Sequence, residues 1–260
     1  MSAGLLACPR CRHALSVSPG ELRCAVCGAV YAVEDGVPDL LPWAGGVPGP
    51  EWDRWREKLE RLRAWRAGTW DGSETAAARQ READAVAAAF FAFARIPEGA
   101  AVLEIGCGGG DLERFLPGRS YLGIDPMPLA RASLVRGVGE RLPVAEGAFD
   151  AVLLCETLDH ALEPARVLRE ARRALRPGGL LALLQSVHVA AAPPPLALRL
   201  RVAAGRLKGR LAGTLAPDDE DTKMHAFDPP ALRALVSEAF AVEEAVVRGG
   251  SLFLRGRASP

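Results

Sequence analysis

The 260-residue chain lacks an excess of charge of either sign: Lys plus Arg and Asp plus Glu number 32 each. A neutral total argues against a dominant role on nucleic acid or a membrane surface, while leaving room for a local basic patch. No run of eighteen apolar residues occurs, so no membrane span is expected. The N-terminus places Cys8 and Arg10 where a signal peptide needs an apolar stretch, which argues against secretion. Cysteine is sparse, at six residues, and two of them, Cys107 and Cys155, stand alone. Free thiols beside paired ones suit a reducing cytoplasm, the expected location. Only four histidines are present, so candidates for a general base are few. What the chain does have is 49% apolar residues, enough to bury one large domain with a small appendage.

The other four cysteines, Cys8, Cys11, Cys24 and Cys27, form two Cys-x-x-Cys pairs. Such turns aim both of their sulfurs at one point, and two of them can surround one tetrahedral Zn²⁺. Two disulfides or a redox pair are the competing readings. Disulfides fit a cytoplasmic chain poorly, and a redox pair needs only one such motif. Four thiolates leave no open position on the metal, so its expected role is structural. Residues 8 to 42, through the tail "DGVPDLL", resemble the small zinc-ribbon domain known as an activator subunit of tRNA and release-factor methyltransferases. That domain is also fused ahead of many bacterial methyltransferases.

Residues 43–97 read as a Gly/Pro linker, "WAGGVPGP", followed by two helices. The first, 51–67, carries Trp52, Trp55, Leu59, Leu62 and Trp65 at helical spacing. This stripe is either a packing face or an aromatic lid over a ligand. The second helix is expected over about 74–95. From residue 98 the pattern changes. "AVLEI", "SYLGID", "FDAVLLC" and "GGLLALLQS" read as buried strands alternating with helices, which implies a parallel sheet covered on both faces. A helix over 229–238 precedes a strand, a Gly-Gly turn and a last strand.

The turn "GCGGGD" after the first of these strands lets backbone approach a ligand closely. A dinucleotide site wants glycine at position 111, and Asp111 stands there instead. A carboxylate at that point repels a pyrophosphate. A phosphate-free ligand with a positive sulfonium meets no such penalty, and Glu104 adds negative charge. S-adenosylmethionine is therefore favoured over NAD.

Glu104 to Gly110 is similar to the first motif of class I S-adenosylmethionine-dependent methyltransferases. "YLGIDP", "GERLPVAEGAFDAVLLCETLDHALEP" and "LRPGGLLALL" match further stretches of that family in order, over residues 100–185. The resemblance, to the type 11 methyltransferases in particular, implies an α/β fold: a doubly wound, seven-stranded, mostly parallel sheet with a terminal antiparallel hairpin. It implies cofactor contacts from Glu104, Gly106, Cys107, Gly108, Asp125, Pro126, Met127, Glu140, Arg141 and Cys155. Asp125 is expected on the ribose hydroxyls and Met127 on the adenine face. The family often has an acidic residue where this chain has Val138; either Glu140 or backbone groups near Arg141 are expected to take its place. Cys155 reads as a small wall residue beside Glu156, not as a nucleophile.

Methyl transfer is an in-line displacement that chiefly needs positioning and exclusion of water. Asp159 and His160 are the first candidates for a base, then His225, whose "HAFDPPALRALV" resembles a stretch of many small-molecule and glycan methyltransferases. The insertion 190–222 is expected to form a helical lid, its apolar stripe flanked by Arg199, Arg201, Arg206, Lys208 and Arg210. The leading expectation is methylation of a small-molecule or glycan-like acceptor. The alternatives are ribosomal or transfer RNA methylation with the ribbon binding RNA, and a catalytically silent cofactor-binding partner.

Overall fold

The computed structural model describes residues 3–44, 52–69, 74–188 and 223–258, with side chains described outside 64–69 and 74–82. The expected lid at 190–222, residues 45–50 of the linker and the side chain of Trp65 lie outside the described residues. Four short antiparallel strands open the chain: β1 (Leu15–Ser18), β2 (Glu21–Cys24), β3 (Val30–Glu34) and β4 (Val37–Pro38). Two helices follow, α1 (Asp53–Thr69) and α2 (Glu74–Ala94). The remainder is built on β5 (Ala101–Ile105), β6 (Ser120–Asp125), β7 (Leu134–Arg136), β8 (Phe149–Cys155), α3 (Pro164–Ala174), β9 (Leu175–Ser186), α4 (Pro229–Ser237), β10 (Phe240–Arg248) and β11 (Ser251–Ala258).

These seven strands form one sheet in the order β10-β11-β9-β8-β5-β6-β7. β5 to β9 run parallel, whereas β11 pairs antiparallel with both β9 and β10. The turn between β10 and β11 is Gly249-Gly250, both at positive φ, as a tight hairpin of this hand requires. β5 and β8 are buried along nearly their whole length because both faces of the sheet are covered. Phe90 and Phe93 of α2 pack on Val102, Leu153, Leu184 and Phe253 on one face. On the other, Val167, Leu168 and Ala171 of α3 and Leu232 and Val236 of α4 pack on Leu103, Val152, Leu181 and Leu254. Pro164 begins α3, and the Asp228 carboxylate caps α4 by accepting from the Ala231 amide at 2.7 Å.

The alternation of strand and helix is less complete than the sequence pattern suggests. Between β5 and β6 the helix shrinks to a 3-10 turn, Asp111–Phe115, and β6 reaches β7 without one. Pro117-Gly118 cuts the first connection short, and Pro126 and Pro128 disfavour helix in the second.

The cysteine-bearing sheet is not a tethered bead. Leu6 bridges Val144, with the Ala7 amide donating to Pro143 and the Ala145 amide to Leu5, both at 2.9 Å. On the other side Asp39 bridges Arg136, and the Leu40 amide donates to the Arg136 carbonyl at 2.9 Å. The ribbon thus covers the exposed edge at β7, a position where an unpaired strand invites aggregation. Leu6, Leu22, Tyr31 and Leu40 share one core with Leu142 and Val144.

Buried Glu170 ties the two parts together. It accepts from Arg12 of the ribbon at 2.8 Å, from Arg173 at 2.9 Å and from the Leu142 amide at 3.0 Å. Removing that carboxylate strands two guanidinium groups and an amide. Glu170→Ala should therefore cost about 3–5 kcal/mol, read by urea unfolding of the full chain.

Candidate functional site

A cleft of about 220 Å³ opens at the carboxyl ends of β5, β6 and β8, where ligands sit in open parallel sheets. Its floor is the turn after β5. Gly106 and Gly108 lie at φ 75 and 52, conformations that side chains resist. A Cβ on Gly106 would come within 2.5 Å of the Thr157 side chain, whereas one on Gly108 would project into open space. The turn is packed tightly against β8 at its root and left bare where a ligand can approach.

Asp125, ending β6, braces this turn. Its carboxylate accepts from the Gly108 amide at 2.9 Å and the Met127 amide at 2.7 Å. A carboxylate has further lone pairs, so both oxygens can still serve hydroxyl groups in the cleft. Pro126 and Met127 continue the wall. Glu140 forms the next part. Its Oε1 accepts from the Leu162 and Glu163 amides at 2.8 and 3.3 Å, while its buried Oε2 has no hydrogen-bond partner. Val138, where the family often has an acid, packs instead among Leu41, Trp52, Trp55 and Leu59.

α1 closes the cleft from above. Trp55, Lys58 and Leu62 occupy one helical face and line it, while Trp52 and Leu59 are buried behind. The stripe therefore packs and lines the cleft at once. Lys58 is 2% exposed and donates to the His160 carbonyl. Burial pulls its ammonium down to about 8, against the attraction of Glu140 and Asp159. This lysine escaped the sequence reading because its helix reads as exposed.

The carboxylates here are starved of water. Glu104, 2% exposed, accepts from the Tyr121 hydroxyl behind the turn. Burial pushes its acid up to about 8; the charges of Asp125 and Asp111 add to the rise, and the Tyr121 bond opposes it. Burial also raises Glu140 and Glu156. Glu156 holds φ 49, unusual for a side-chain-bearing residue, and its Oε2 accepts from the Ser186 amide at 2.9 Å and Gln185 at 3.2 Å. It lines the cleft with Thr157 and His160.

Four expected contacts lie off the lining of the cleft. Glu104 sits behind the turn. Cys107 and Cys155 are thiols that burial raises, the second to about 12. Arg141 points to the ribbon, where it donates to the carbonyls of Pro9 and Arg10 at 2.5 and 2.8 Å.

The candidate bases divide between two cavities. His160 fronts the cleft, whereas Asp159 and His225 line a neighbouring cavity of about 200 Å³ with Ser186, His188 and Lys223. The His160 Nε2 and Asp159 Oδ1 are 3.8 Å apart, too far for a hydrogen bond. Asp159 is instead fixed by its backbone carbonyl, which accepts from the Met224 and His225 amides at 2.7 and 3.1 Å. Its Oδ1 and the His225 Nε2 are both buried without a hydrogen-bond partner.

At the other end of the chain, the Sγ atoms of Cys8, Cys11, Cys24 and Cys27 all lie within 4.8 Å of one another. Cys8 to Cys27 is 3.6 Å and Cys11 to Cys24 3.4 Å. The edge of a tetrahedron of Zn–S bonds is about 3.8 Å, so the set fits that ion with little adjustment. The buried Tyr31 hydroxyl lies 3.2 Å from the Cys8 sulfur, placed to donate to a thiolate.

Comparison with known proteins agrees with both halves. Residues 103–183 match the family model described as methyltransferase domain, and residues 4–36 the one described as Trm112p-like protein. The sheet-forming part of the chain is thus similar to a methyltransferase domain over residues 103–183. An uncharacterized methyltransferase of Synechocystis sp. is 35% identical over 103 residues, 34% of this chain and 48% of that protein. A ubiquinone biosynthesis O-methyltransferase of Pseudomonas aeruginosa is 38% identical over 100 residues, 31% of this chain and 42% of that protein. The chain thus spans less than half the length of these curated relatives. Among solved structures, PH0226 protein from Pyrococcus horikoshii superposes with TM-score 0.52 at 19% identity, covering 77% of this chain and 99% of that one. The [4+2]-cyclase SpnF superposes with the same score at 17% identity, covering 69% and 83%. Likeness at this level speaks to the fold of the methyltransferase domain alone.

The sign of the carboxylate shifts gives a testable consequence. Glu104 has an ordinary value of 4.5 and about 8 in the fold, so the folded state holds an extra proton between those limits. Stability of the unliganded protein should fall as pH rises from 4.5 to 8. Thermal unfolding across that range should show this decline, and Glu104→Gln should flatten it.

Proposed function

We propose that the chain transfers a methyl group from S-adenosylmethionine to a small-molecule or glycan-like acceptor, chiefly by positioning. The observation that carries this reading is the Asp125 carboxylate, braced on the Gly108 and Met127 amides beside a bare glycine turn. When bound, the cofactor supplies an electrophilic methyl on a sulfonium. Gly106 and Gly108 then admit its polar tail, Asp125 takes the ribose hydroxyls, and the Glu140 Oε2 accepts from the adenine amino group, the partner it lacks in the fold. Met127 and Trp55 supply apolar wall. The acidic lining suits a positive sulfur and disfavours a pyrophosphate.

The acceptor occupies the adjoining cavity. A hydroxyl there can give its one proton to the Asp159 Oδ1 while accepting from the His225 Nε2, or give it to the His225 Nε2, while His160 faces the cofactor side. Such a base contributes about 10²–10⁴-fold, with positioning and water exclusion supplying the larger share. Zn²⁺ on the four thiolates shapes the ribbon and takes no part in the chemistry, and native mass spectrometry should count one ion per chain. No helix among the described residues is long and apolar enough to cross a membrane.

Calorimetry of the full chain tests the reading. S-adenosylmethionine should bind and NADH should not. Asp125→Ala should weaken binding about a hundredfold or more, as expected for losing two hydrogen bonds to a charged group. NADH binding with the sulfonium compound ignored would overturn it.

A further inference from the structure

At the opposite end of the strands from the cofactor cleft lies a third concavity, of about 410 Å³. It sits where β8 and β9 begin and β11 ends. Four guanidinium-bearing residues line it, Arg169, Arg172, Arg173 and Arg176, against one carboxylate, Glu146. Arg169, Arg172 and Arg173 share one face of α3, and Arg176 follows at the start of β9. Two of the four have internal work. Arg173 binds Glu170 and the carbonyls of Leu142 and Val144, and Arg176 pairs with Asp150. Arg169 and Arg172 make no ion pair or hydrogen bond among the described residues.

Attraction to the helix C-terminus accounts for basic residues in the last turn. It does not account for Arg169, a turn earlier, nor for a concave surface lined four to one by positive groups. The cationic character also extends toward the ribbon: Arg12, Arg166 and Arg173 crowd the Arg141 guanidinium, which burial and then these like charges hold below its ordinary range.

We propose that this cleft binds a phosphate group, with Arg169 and Arg172 as its recognition residues. Guanidinium forks match phosphate oxygens two at a time, and a cleft bounded by several of them favours a multivalent anion over a single carboxylate. The phosphate comes either from a free phosphate ester or from a nucleic-acid backbone. The site is separate from the methyl-transfer reading and stands whether or not that reading holds.

Titration calorimetry of the full chain at low ionic strength, with pyrophosphate and, separately, a single-stranded RNA oligonucleotide, tests the site. Pyrophosphate should bind the parent chain, and the double variant Arg169→Ala/Arg172→Ala should bind it about a hundredfold less tightly. Unfolding midpoint and S-adenosylmethionine binding should stay unchanged, and Arg233→Ala on α4 should leave pyrophosphate binding intact. If RNA binding falls in parallel and its salt slope drops by about two, the site reads a nucleic-acid backbone. If RNA is unaffected while pyrophosphate binding is lost, it reads free phosphate esters. No pyrophosphate binding by the parent chain, or equal binding by parent and double variant, overturns the proposal.

Discussion

Everything in the cleft turns on carboxylates held at one end of a parallel sheet with little water to solvate them. Asp125 does the structural work, fixing the glycine turn and the start of the next loop through two amides. Glu104, Glu140 and Glu156 surround it from three elements, each raised by burial. Buried negative charge without a matching positive group is costly. The cluster persists because the sheet and its covering helices bury far more apolar surface than these groups penalise. A positive ligand relieves the same penalty, so these carboxylates favour a cation over an anion. Lys58 supplies part of the compensation from α1, yet it too is desolvated.

The second constraint is the edge of the sheet at β7. A sheet ending in a three-residue edge strand exposes unpaired backbone there, and the ribbon covers it through Asp39, while Leu6 anchors the ribbon on Val144 beyond it. The four-cysteine ribbon thereby becomes part of the large core. Its tail carries Leu41 beneath Trp52 and Trp55, whose helix forms the roof of the cleft. Ribbon, roof and floor form one chain of contacts, and loosening the first is felt at the last.

Much of this was legible in the sequence, for physical reasons. Long apolar runs such as "FDAVLLC" have one place to go in a sheet covered on both faces. Two Cys-x-x-Cys turns converge whatever lies between them. Three of the four glycines of "GCGGGD" take positive φ, Gly106, Gly108 and Gly110. What was not legible depended on direction. Arg141 follows Glu140 directly but turns to the ribbon carbonyls, because Glu140 is held inward by the Leu162 and Glu163 amides. Lys58 reads as one charge among many on a polar helix, and only the docking of α1 buries it. Asp159 and His160 are neighbours in sequence that face different cavities. The arginines of α3 drew no notice in the sequence, because only the foot of the sheet gathers them around a concave surface.

The central claim is that a positive ligand completes a buried acidic strand end. It is tested most directly by counting protons released on binding. Calorimetric titration of S-adenosylmethionine at slightly alkaline pH, repeated in buffers of different ionisation enthalpy, gives that count. Because burial raises the Glu104 acid to about 8, part of it still holds its proton there; a nearby cation should drive that proton off, and the release should vanish in Glu104→Gln. An identical proton count in the parent chain and the variant would contradict the account.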